Sequence, residues 1–199
     1  MHGLINRSIQ CFTRDIYGPQ VWSNVIARSE FESDNFETML SYTDESTFVL
    51  LDSLSSELRR NREEILEDLG TYLVSHKNVE ALRRLLRFGG TTFQEFLHSL
   101  DDLHDRARLA VSDLELPHLE LREHAPGKYS LNCSSNMQAF GPNFGHVMVG
   151  LLRAMADDYG SLVLLEHQGG QHGVETISID VLESAFAEGR AFTLADRVS

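Results

Sequence analysis

The sequence is short of cysteine and of positive charge, and each shortage excludes a class of protein. Its two cysteines, Cys11 and Cys133, lie far apart and cannot form the disulfide framework of a small secreted domain. Its 17 lysines and arginines stand against 30 acidic residues, a formal net charge of -13, which argues against nucleic acid or an anionic membrane as the main partner. No apolar run approaches the roughly 18 residues of a membrane span, and no signal peptide opens the chain. We therefore expect a soluble cytoplasmic protein with neither a nucleic-acid nor a membrane partner.

What the sequence does contain is a change of hydrophobic period after its midpoint. In the first half, apolar residues such as Ile5, Ile9 and Phe12 recur at helical spacing. In the second half, the alternating stretches "HLELRE" and "KYSLNCSS" predict a hairpin, and one helix separates it from a second hairpin. This order predicts an α+β fold, with an N-terminal helical subdomain packed on a C-terminal antiparallel sheet that has one inserted helix.

A chain of 199 residues with this order suits one domain with a sizeable core. We expect it over residues 1–182, with a helical part at about 1–112 and a strand-rich part at about 113–182. Residues 183–199 are expected to form a C-terminal extension.

Of the nine histidines, His104 lies on the apolar side of a predicted helix. In a helix over about 92–110, Phe93, Leu97 and Leu100 mark a buried stripe, and His104 lies roughly 20° from Phe93 and Leu97. An imidazole pointing into the core needs a partner, because an unsatisfied buried polar group costs about 1–3 kcal/mol. Two interpretations remain open: a hydrogen bond to a backbone carbonyl, or ligation of a metal. Since no second ligand follows three or four residues later, a single axial contact to heme iron suits the second interpretation better than a chelated zinc ion.

Several short stretches, taken in order, resemble one known family. They are "MHGLIN" at the start, "YGPQVW", "LGTYL", "GGTTFQEFLHSLDDLHDR", Pro117 and "VMVGLLRAMA". Together they are similar to the heme–nitric oxide/oxygen binding (H-NOX) domain, the sensor module also found in soluble guanylate cyclase. The resemblance covers residues 1 to about 182 and implies an H-NOX-like fold that binds heme b. It also implies that His104 ligates the iron from the proximal side, where Pro117 presses the porphyrin out of plane.

The resemblance extends to the distal side of the heme. Ile5, Leu73, Val147 and Leu151 match positions that line the distal pocket of the family, and Leu100 is a further candidate heme contact. Members of the family that hold oxygen carry a tyrosine at the position of Val147, where its hydroxyl donates to the bound gas. The resemblance therefore implies a ligand that needs no such donor: nitric oxide, with carbon monoxide bound more weakly. The same apolar residues would also suit an ordinary core.

The sequence departs from the family where the heme propionates would be anchored. The family's Tyr-x-Ser-x-Arg motif aligns with Cys133, Ser135 and Met137, so only the serine is retained. Losing the arginine removes a charge-assisted contact of about 1.5–3 kcal/mol. Backbone amides of the loop "MQAFGPNFGH", the start of the following helix and the side chains of Asn136 and Asn143 are the expected substitutes. The alternative is an H-NOX-fold binding or scaffold protein that has lost or altered heme binding.

The implied function is signal transduction rather than catalysis. Nitric oxide would bind ferrous heme opposite His104, weaken the iron–histidine bond, release strain in the porphyrin and shift the helix. A stand-alone sensor would then act on a separate partner, such as a histidine kinase or a cyclic-di-nucleotide signalling enzyme. No nucleophile–base pair, phosphate-binding loop or carboxylate pair indicates an enzyme. His167 and His172 lie where some members of the family hold zinc, but two histidines fall short of four ligands, and we expect them to be surface residues.

Overall fold

The computed structural model of the protein describes residues 3–29, 31, 33–110, 116–134, 143–171 and 173–189. Within these ranges, no helix is long and apolar enough to cross a membrane. The α-helices are α1 (Gly3–Tyr17), α2 (Pro19–Ser29), α3 (Asp44–Leu58), α4 (Arg62–Ser75), α5 (Glu80–Arg87), α6 (Phe93–His98), α7 (Leu103–Ala110) and α8 (Phe144–Tyr159). The strands are β1 (His118–Ala125), β2 (Lys128–Ser134), β3 (Leu162–Gln171) and β4 (Val174–Glu183). The helices precede an antiparallel sheet with one helix inserted, so the predicted α+β fold is confirmed.

The four strands form one antiparallel sheet in the order β1-β2-β4-β3. The two hairpins are joined through β2 and β4, where Leu131 pairs with Ile177 and Tyr129 pairs with Ile179. Because side chains alternate along a strand, these four residues point to the same side of the sheet, and all four are buried. This arrangement gives the sheet one apolar face, which packs on the helices, and one polar face.

Helix α8 lies between two apolar cores. One core belongs to the helical half and contains Phe12 and Trp22. The other lies between the sheet and the later helices and contains Phe96 and Leu131. Helix α8 contributes Val147 to the first core and most of its other buried side chains to the second. The packing of both cores therefore fixes the position of α8.

Helices α4 and α8 cross with their backbones in contact. A Cβ atom added to Gly70 would lie 2.0 Å from the carbonyl oxygen of Val147, and one added to Gly150 would lie 1.9 Å from that of Glu67. Real Cβ atoms do not approach so closely, so glycine is required at both positions. The hydroxyl of Thr71 also donates to the carbonyl of Gly150 over 3.3 Å. This crossing fixes the position of α8 relative to the helical core.

The helix expected over about 92–110 is interrupted before His104. Helix α6 ends at His98, a 3-10 helix spans Ser99–Asp102, and α7 begins at Leu103. The Ser99 hydroxyl donates to the Phe96 carbonyl (2.7 Å), and the Asp101 carboxylate accepts the N–H of Leu121 in β1 (2.8 Å). Such local side-chain bonds compete with regular α-helix hydrogen bonding. His104, in the first turn of α7, is partly buried.

The chain turns back onto α8 after β4. The N–H of Ala187 donates to the Gly160 carbonyl (3.0 Å), and the Ser161 hydroxyl donates to the Ser184 carbonyl (3.1 Å). The first residues of the expected extension therefore pack on the domain, while residues 190–199 lie outside the described residues. The boundary at residue 182 stays a prediction.

Candidate heme-binding site

His104 is held by one ring nitrogen and leaves the other available. Its Nδ1 lies 3.0 Å from the carbonyl oxygen of Leu116. A carbonyl only accepts hydrogen bonds, so Nδ1 must carry the proton and donate it. In the neutral ring the lone pair then resides on Nε2, which has no hydrogen-bond partner in the part of the chain that the structure describes. The two interpretations of His104 are thus compatible, because a histidine that ligates a metal commonly donates its other N–H to a carbonyl.

The residues around His104 couple α7 to the start of β1. Leu116, which accepts the His104 proton, directly precedes the buried Pro117. From the other side of the turn, Arg106 donates through Nη2 to the Ser99 carbonyl over 2.8 Å. The predicted contact residue Leu100 is fully buried in the core beneath the sheet. His104 is therefore bonded to the residue that precedes Pro117, and the contact of either residue with a heme stays a prediction.

The four predicted distal residues divide between the two cores. Ile5 of α1, Leu73 of α4 and Val147 of α8 pack in or against the helical core. Leu151, one helical turn after Val147, belongs to the core beneath the sheet, together with Leu100. All four are apolar and at least half-buried. The structure thus brings three of the predicted positions into one cluster and places the fourth at its border.

None of the five tyrosines supplies a hydroxyl beside Val147. Tyr72, which directly precedes Leu73, donates instead to Asp15 over 2.7 Å. Tyr129 lies edge-on against His98 in the other core. The hydroxyl of Tyr17 donates to Asp68, and that of Tyr159 donates to the Gly90 carbonyl. The hydroxyl of Tyr42 accepts the N–H of Glu37. Position 147 is a valine, and the five tyrosines of the chain lie or bond elsewhere, so none of them replaces the missing tyrosine donor.

The anchor position that the structure describes does not offer a charged contact. The Cys133 side chain is buried on the inner face of β2, and burial raises the pKa of its thiol to about 12. A neutral thiol enclosed by the core cannot replace a tyrosine or arginine as a donor to a carboxylate. Ser135, Met137 and Asn136 lie outside the described residues. Cys133 pairs with Glu175 of β4 and packs in the core beneath the sheet, and its contact with a heme stays a prediction.

The start of α8, predicted to receive a propionate, already holds a carboxylate of the chain itself. Glu175 of β4 is only 5% exposed and accepts the backbone N–H of Gly145 over 3.0 Å. The next amide, that of His146, donates to the Asn143 carbonyl over 3.2 Å. A helix N-terminus favours negative charge, and Glu175 satisfies that preference internally. The Gly145 amide is therefore already occupied, and reception of a heme propionate by the rest of this helix start stays a prediction.

Glu175 was missed from the sequence, although a signal for it existed. Strand alternation in "VETISIDV" places Glu175 on the same side as Ile177 and Ile179, so a carboxylate among core residues could have been noticed. Its second oxygen accepts from His167 Nε2 (2.8 Å), and His167 Nδ1 accepts the Gly169 N–H (3.3 Å).

His167 is half-buried rather than a surface residue as predicted. Its ring lies 4.2 Å, centroid to centroid, from the ring of His146. Among the residues that the structure describes, no group of three or more histidine, cysteine or acidic side chains is arranged to hold a metal ion. His172 lies outside the described residues, so a zinc site that includes it stays untested.

The residues present fit a heme on the iron side. The hydrogen bond of His104 Nδ1 holds the ring in one orientation and leaves Nε2 as the nitrogen that could bind iron, and the candidate pocket residues are apolar, as the hydrophobic face of a porphyrin requires. On the propionate side, the one basic residue of β2, Lys128, pairs with Asp180 over 3.0 Å, and Gly145 at the start of α8 donates to Glu175.

The helical half and the sheet with its inserted helix form the fold of a heme-binding gas-sensor domain. The family model described as Haem-NO-binding matches residues 2–167, and the chain belongs to this family. Soluble guanylate cyclase gcy-34 of Caenorhabditis elegans is 29% identical over 160 residues, covering 78% of this chain and 23% of that protein. Guanylate cyclase soluble subunit beta-2 of Rattus norvegicus is 28% identical over 97 residues, covering 49% of this chain and 14% of that protein. The chain thus spans less than a quarter of these relatives, and the matched part is their sensor domain rather than their catalytic part.

Solved structures support the same fold. The Fe(II) unliganded H-NOX protein from K. algicida superposes with a TM-score of 0.78 at 19% identity, covering 94% of this chain and all of that one (100%). The H-NOX protein from S. oneidensis in the Fe(II)NO ligation state gives a TM-score of 0.72 at 17% identity, covering 92% of this chain and 100% of that one. At such low identity the likeness shows the fold alone.

Proposed function

We propose that this protein is a nitric oxide sensor that binds heme b through Nε2 of His104. The observation that carries the proposal is the 3.0 Å hydrogen bond from His104 Nδ1 to the Leu116 carbonyl. It fixes the tautomer that a metal ligand needs and holds the ring in one orientation before any cofactor arrives. When bound, ferrous heme supplies an open coordination position for a gas.

The chain's own residues provide a route from His104 to the sheet. A displacement of His104 acts on Leu116 through the Nδ1–H bond, and Leu116 leads through Pro117 into β1. The preceding 3-10 helix is joined to the same strand, since Asp101 accepts the N–H of Leu121. Two contacts therefore connect the histidine segment to β1, and a shift of α7 would move that edge of the sheet relative to the helical core.

The choice of nitric oxide over oxygen rests on the apolar distal residues. Bound oxygen is polar and gains from a hydrogen-bond donor, whereas nitric oxide on ferrous iron needs little help. Val147 supplies no donor, and Tyr72, the nearest tyrosine in sequence to the candidate Leu73, is committed to Asp15. We expect carbon monoxide to bind more weakly than nitric oxide.

Replacing His104 tests the proposal most directly. Purified, reduced wild-type protein loaded with heme should show a Soret band at about 400–430 nm that shifts on addition of nitric oxide and stays unchanged in air-equilibrated buffer before oxidation. The His104→Gly variant should lose this band and its bound iron. His98→Gly is the matched control, because His98 lies one helical segment earlier and is 56% exposed at its side chain, and it should retain both.

Iron content and circular dichroism separate loss of the ligand from loss of the fold. A folded His104→Gly variant with a wild-type Soret band would refute ligation by His104. A stable oxygen complex of the wild-type protein would refute the proposed selectivity.

A second candidate function is a heme-independent binding or scaffold protein with the same fold. Two observations favour it: the thiol of Cys133 is buried and neutral, and the Gly145 N–H at the start of α8 already donates to Glu175. It predicts that folded, full-length protein from cells supplied with heme precursors is colourless and takes up no added hemin. The same absorption spectrum therefore decides between the two candidates.

The signalling partner is proposed by analogy alone. In the relatives that the chain matches, the sensor domain is part of a guanylate cyclase. For this chain we propose transmission in the cytoplasm to a separate histidine kinase or cyclic-di-nucleotide signalling enzyme. Co-purification of such an enzyme, with an activity that changes on nitric oxide addition, would support this assignment.

A further inference from the structure

Helix α7, which carries His104, has little apolar packing to hold it in place. Among its residues 103–109, two are buried: Leu103 and Ala107. Local stability follows the number of buried apolar contacts, so a helix with so few of them opens more easily than the core around it. The hydrogen bonds that α7 makes to neighbouring elements therefore decide how firmly it holds His104.

Arg106 joins α7 to the end of α6. Its Nη2 donates to the Ser99 carbonyl over 2.8 Å and to the Ser99 hydroxyl oxygen over 3.2 Å. The same hydroxyl donates to the Phe96 carbonyl in α6 over 2.7 Å. Because carbonyls at the C-terminal end of a helix attract positive charge, this position suits a guanidinium. Arg106 therefore bridges the 3-10 interruption between the two helices.

Every hydrogen bond of the Arg106 side chain that the structure describes goes to Ser99. Its Nε is buried and has no partner, and no carboxylate among the described residues forms an ion pair with the guanidinium. A guanidinium carries five N–H donors, yet this contact depends on Nη2 alone. Loss of that one group would therefore remove the hydrogen-bonded connection between α7 and α6.

His104 lies in sequence between the two partners of this contact and has a fixing point of its own. Its ring is held by the Leu116 carbonyl, 3.0 Å from Nδ1, whereas its backbone is held by α7. The 3-10 helix to which Arg106 bonds is itself fixed, since Asp101 accepts the N–H of Leu121 over 2.8 Å. The ring and the helix that carries it are thus fixed separately, and the second of these depends on Arg106.

We propose that Arg106 is a positioning residue for His104. By bonding Ser99 it holds α7 in one position, and without this contact the His104 ring would leave the Leu116 carbonyl more often. A side chain that is fixed before its ligand arrives binds more strongly than one that must be ordered on binding. The inference rests on the proposed ligation of iron by His104, and it concerns how firmly that ligand is held when nitric oxide weakens the iron–histidine bond.

The first measurement uses full-length protein without heme, labelled with 15N-histidine. NMR follows the exchange with solvent of the His104 Nδ1 proton, whose signal is identified by its absence from His104→Gly. The variants are Arg106→Leu, which removes every donor, and Arg106→Lys, which keeps the charge and one donor group. Arg108→Leu is the matched control, because Arg108 lies on the same helix and is exposed.

We expect the Nδ1 proton to exchange about tenfold faster in Arg106→Leu than in wild type, as suits the loss of one hydrogen bond from a charged donor. Arg106→Lys should exchange about threefold faster, and it carries the comparison if Arg106→Leu does not fold. Arg108→Leu should match wild type. Glu175→Gln controls for general stability: it should leave this exchange unchanged, because opening of α7 does not break the contacts of Glu175.

The second measurement uses the same Arg106 and Arg108 variants loaded with ferrous heme. Absorption follows the loss of the iron–His104 bond after mixing with nitric oxide, and the rate constant should rise in Arg106→Leu by about the same factor of ten. Arg108→Leu should keep the wild-type rate. If wild-type protein takes up no heme, the proposed function fails, whereas the measurement without heme still decides whether Arg106 positions His104.

Three results would overturn the proposal. The first is equal exchange of the His104 Nδ1 proton in wild type and in Arg106→Leu, with circular dichroism showing that both are folded. The second is exchange in Arg106→Lys that is as fast as in Arg106→Leu. The third is an equal increase in Glu175→Gln, which would make the effect one of general stability.

Discussion

The buried carboxylate of Glu175 gives the sharpest prediction about stability. It accepts two hydrogen bonds, from the Gly145 N–H and from His167 Nε2, at 3.0 and 2.8 Å. Glutamine has the same shape but one oxygen fewer, so in Glu175→Gln one of these donors faces an NH2 group. A hydrogen bond to a charged partner contributes about 1.5–3 kcal/mol, and loss of the favourable charge at the start of α8 adds to this. We therefore expect Glu175→Gln to lose about 2–3 kcal/mol of unfolding free energy.

Thermal unfolding followed by circular dichroism tests this value. For a domain of 150–250 residues, about 1 kcal/mol corresponds to roughly 2–4 °C, so Tm should fall by about 4–12 °C. Glu166→Gln is the matched control: Glu166 lies on the exposed face of β3, where its carboxylate accepts a hydrogen bond from Gln168, so the Tm of this variant should not change. A Glu175→Gln variant that melts within about 1 °C of wild type would refute the reasoning. Hydrogen exchange should also become faster at the first turn of α8, next to Val147.

Two further predictions concern other buried groups. Asp158→Asn should lower the unfolding free energy by about 3–5 kcal/mol in urea, because it removes the charge of a fully buried carboxylate whose Oδ1 lies 3.1 Å from Nη2 of Arg83. Glu80→Gln is the control, since Glu80 forms an exposed ion pair with Arg84. Equal urea midpoints for the two variants would contradict this prediction. Burial raises the pKa of the Cys133 thiol from 9.0 to about 12, so the stability it contributes is complete below pH 9 and is lost as pH rises toward 12. Between pH 8 and 10.5 the unfolding free energy of the wild type should fall by about 2 kcal/mol more than that of Cys133→Val. If the unfolding free energies of the two proteins change in parallel with pH, the prediction is refuted.

The fold was predictable because its signals are local. Periodicity separated helices from strands, and the alternation in "HLELRE" and "KYSLNCSS" predicted the hairpin of β1 and β2. The Thr92 side chain caps α6 together with Glu95, as the sequence "TTFQE" indicates. The break between α6 and α7 was not predictable, because it depends on Asp101 reaching Leu121, 20 residues away in the chain. Contacts at such a separation leave no periodic signal.

The candidate site was predictable in its residue types and less so in its contacts. His104 could be singled out from helical phase and the resemblance, but the partner of its Nδ1 is a backbone carbonyl, which every residue possesses. The loss of the tyrosine and arginine anchors was visible in the sequence. That Glu175 closes the start of α8 was not deduced, because strand alternation predicts its burial and does not reveal which amide it meets.

His104 lies at one edge of the sheet, and the strand order decides how far a displacement there can be transmitted. His104 contacts the β1 side through Leu116, whereas β3 is three strand spacings away, about 14 Å at 4.8 Å per spacing. Because hydrogen bonding runs from β1 through β2 and β4 to β3, we expect a displacement at His104 to reorient the sheet as one unit and not to change the local structure of β3. Helix α8 contributes buried side chains to both cores, so it is the element through which such a movement would reach the helical half.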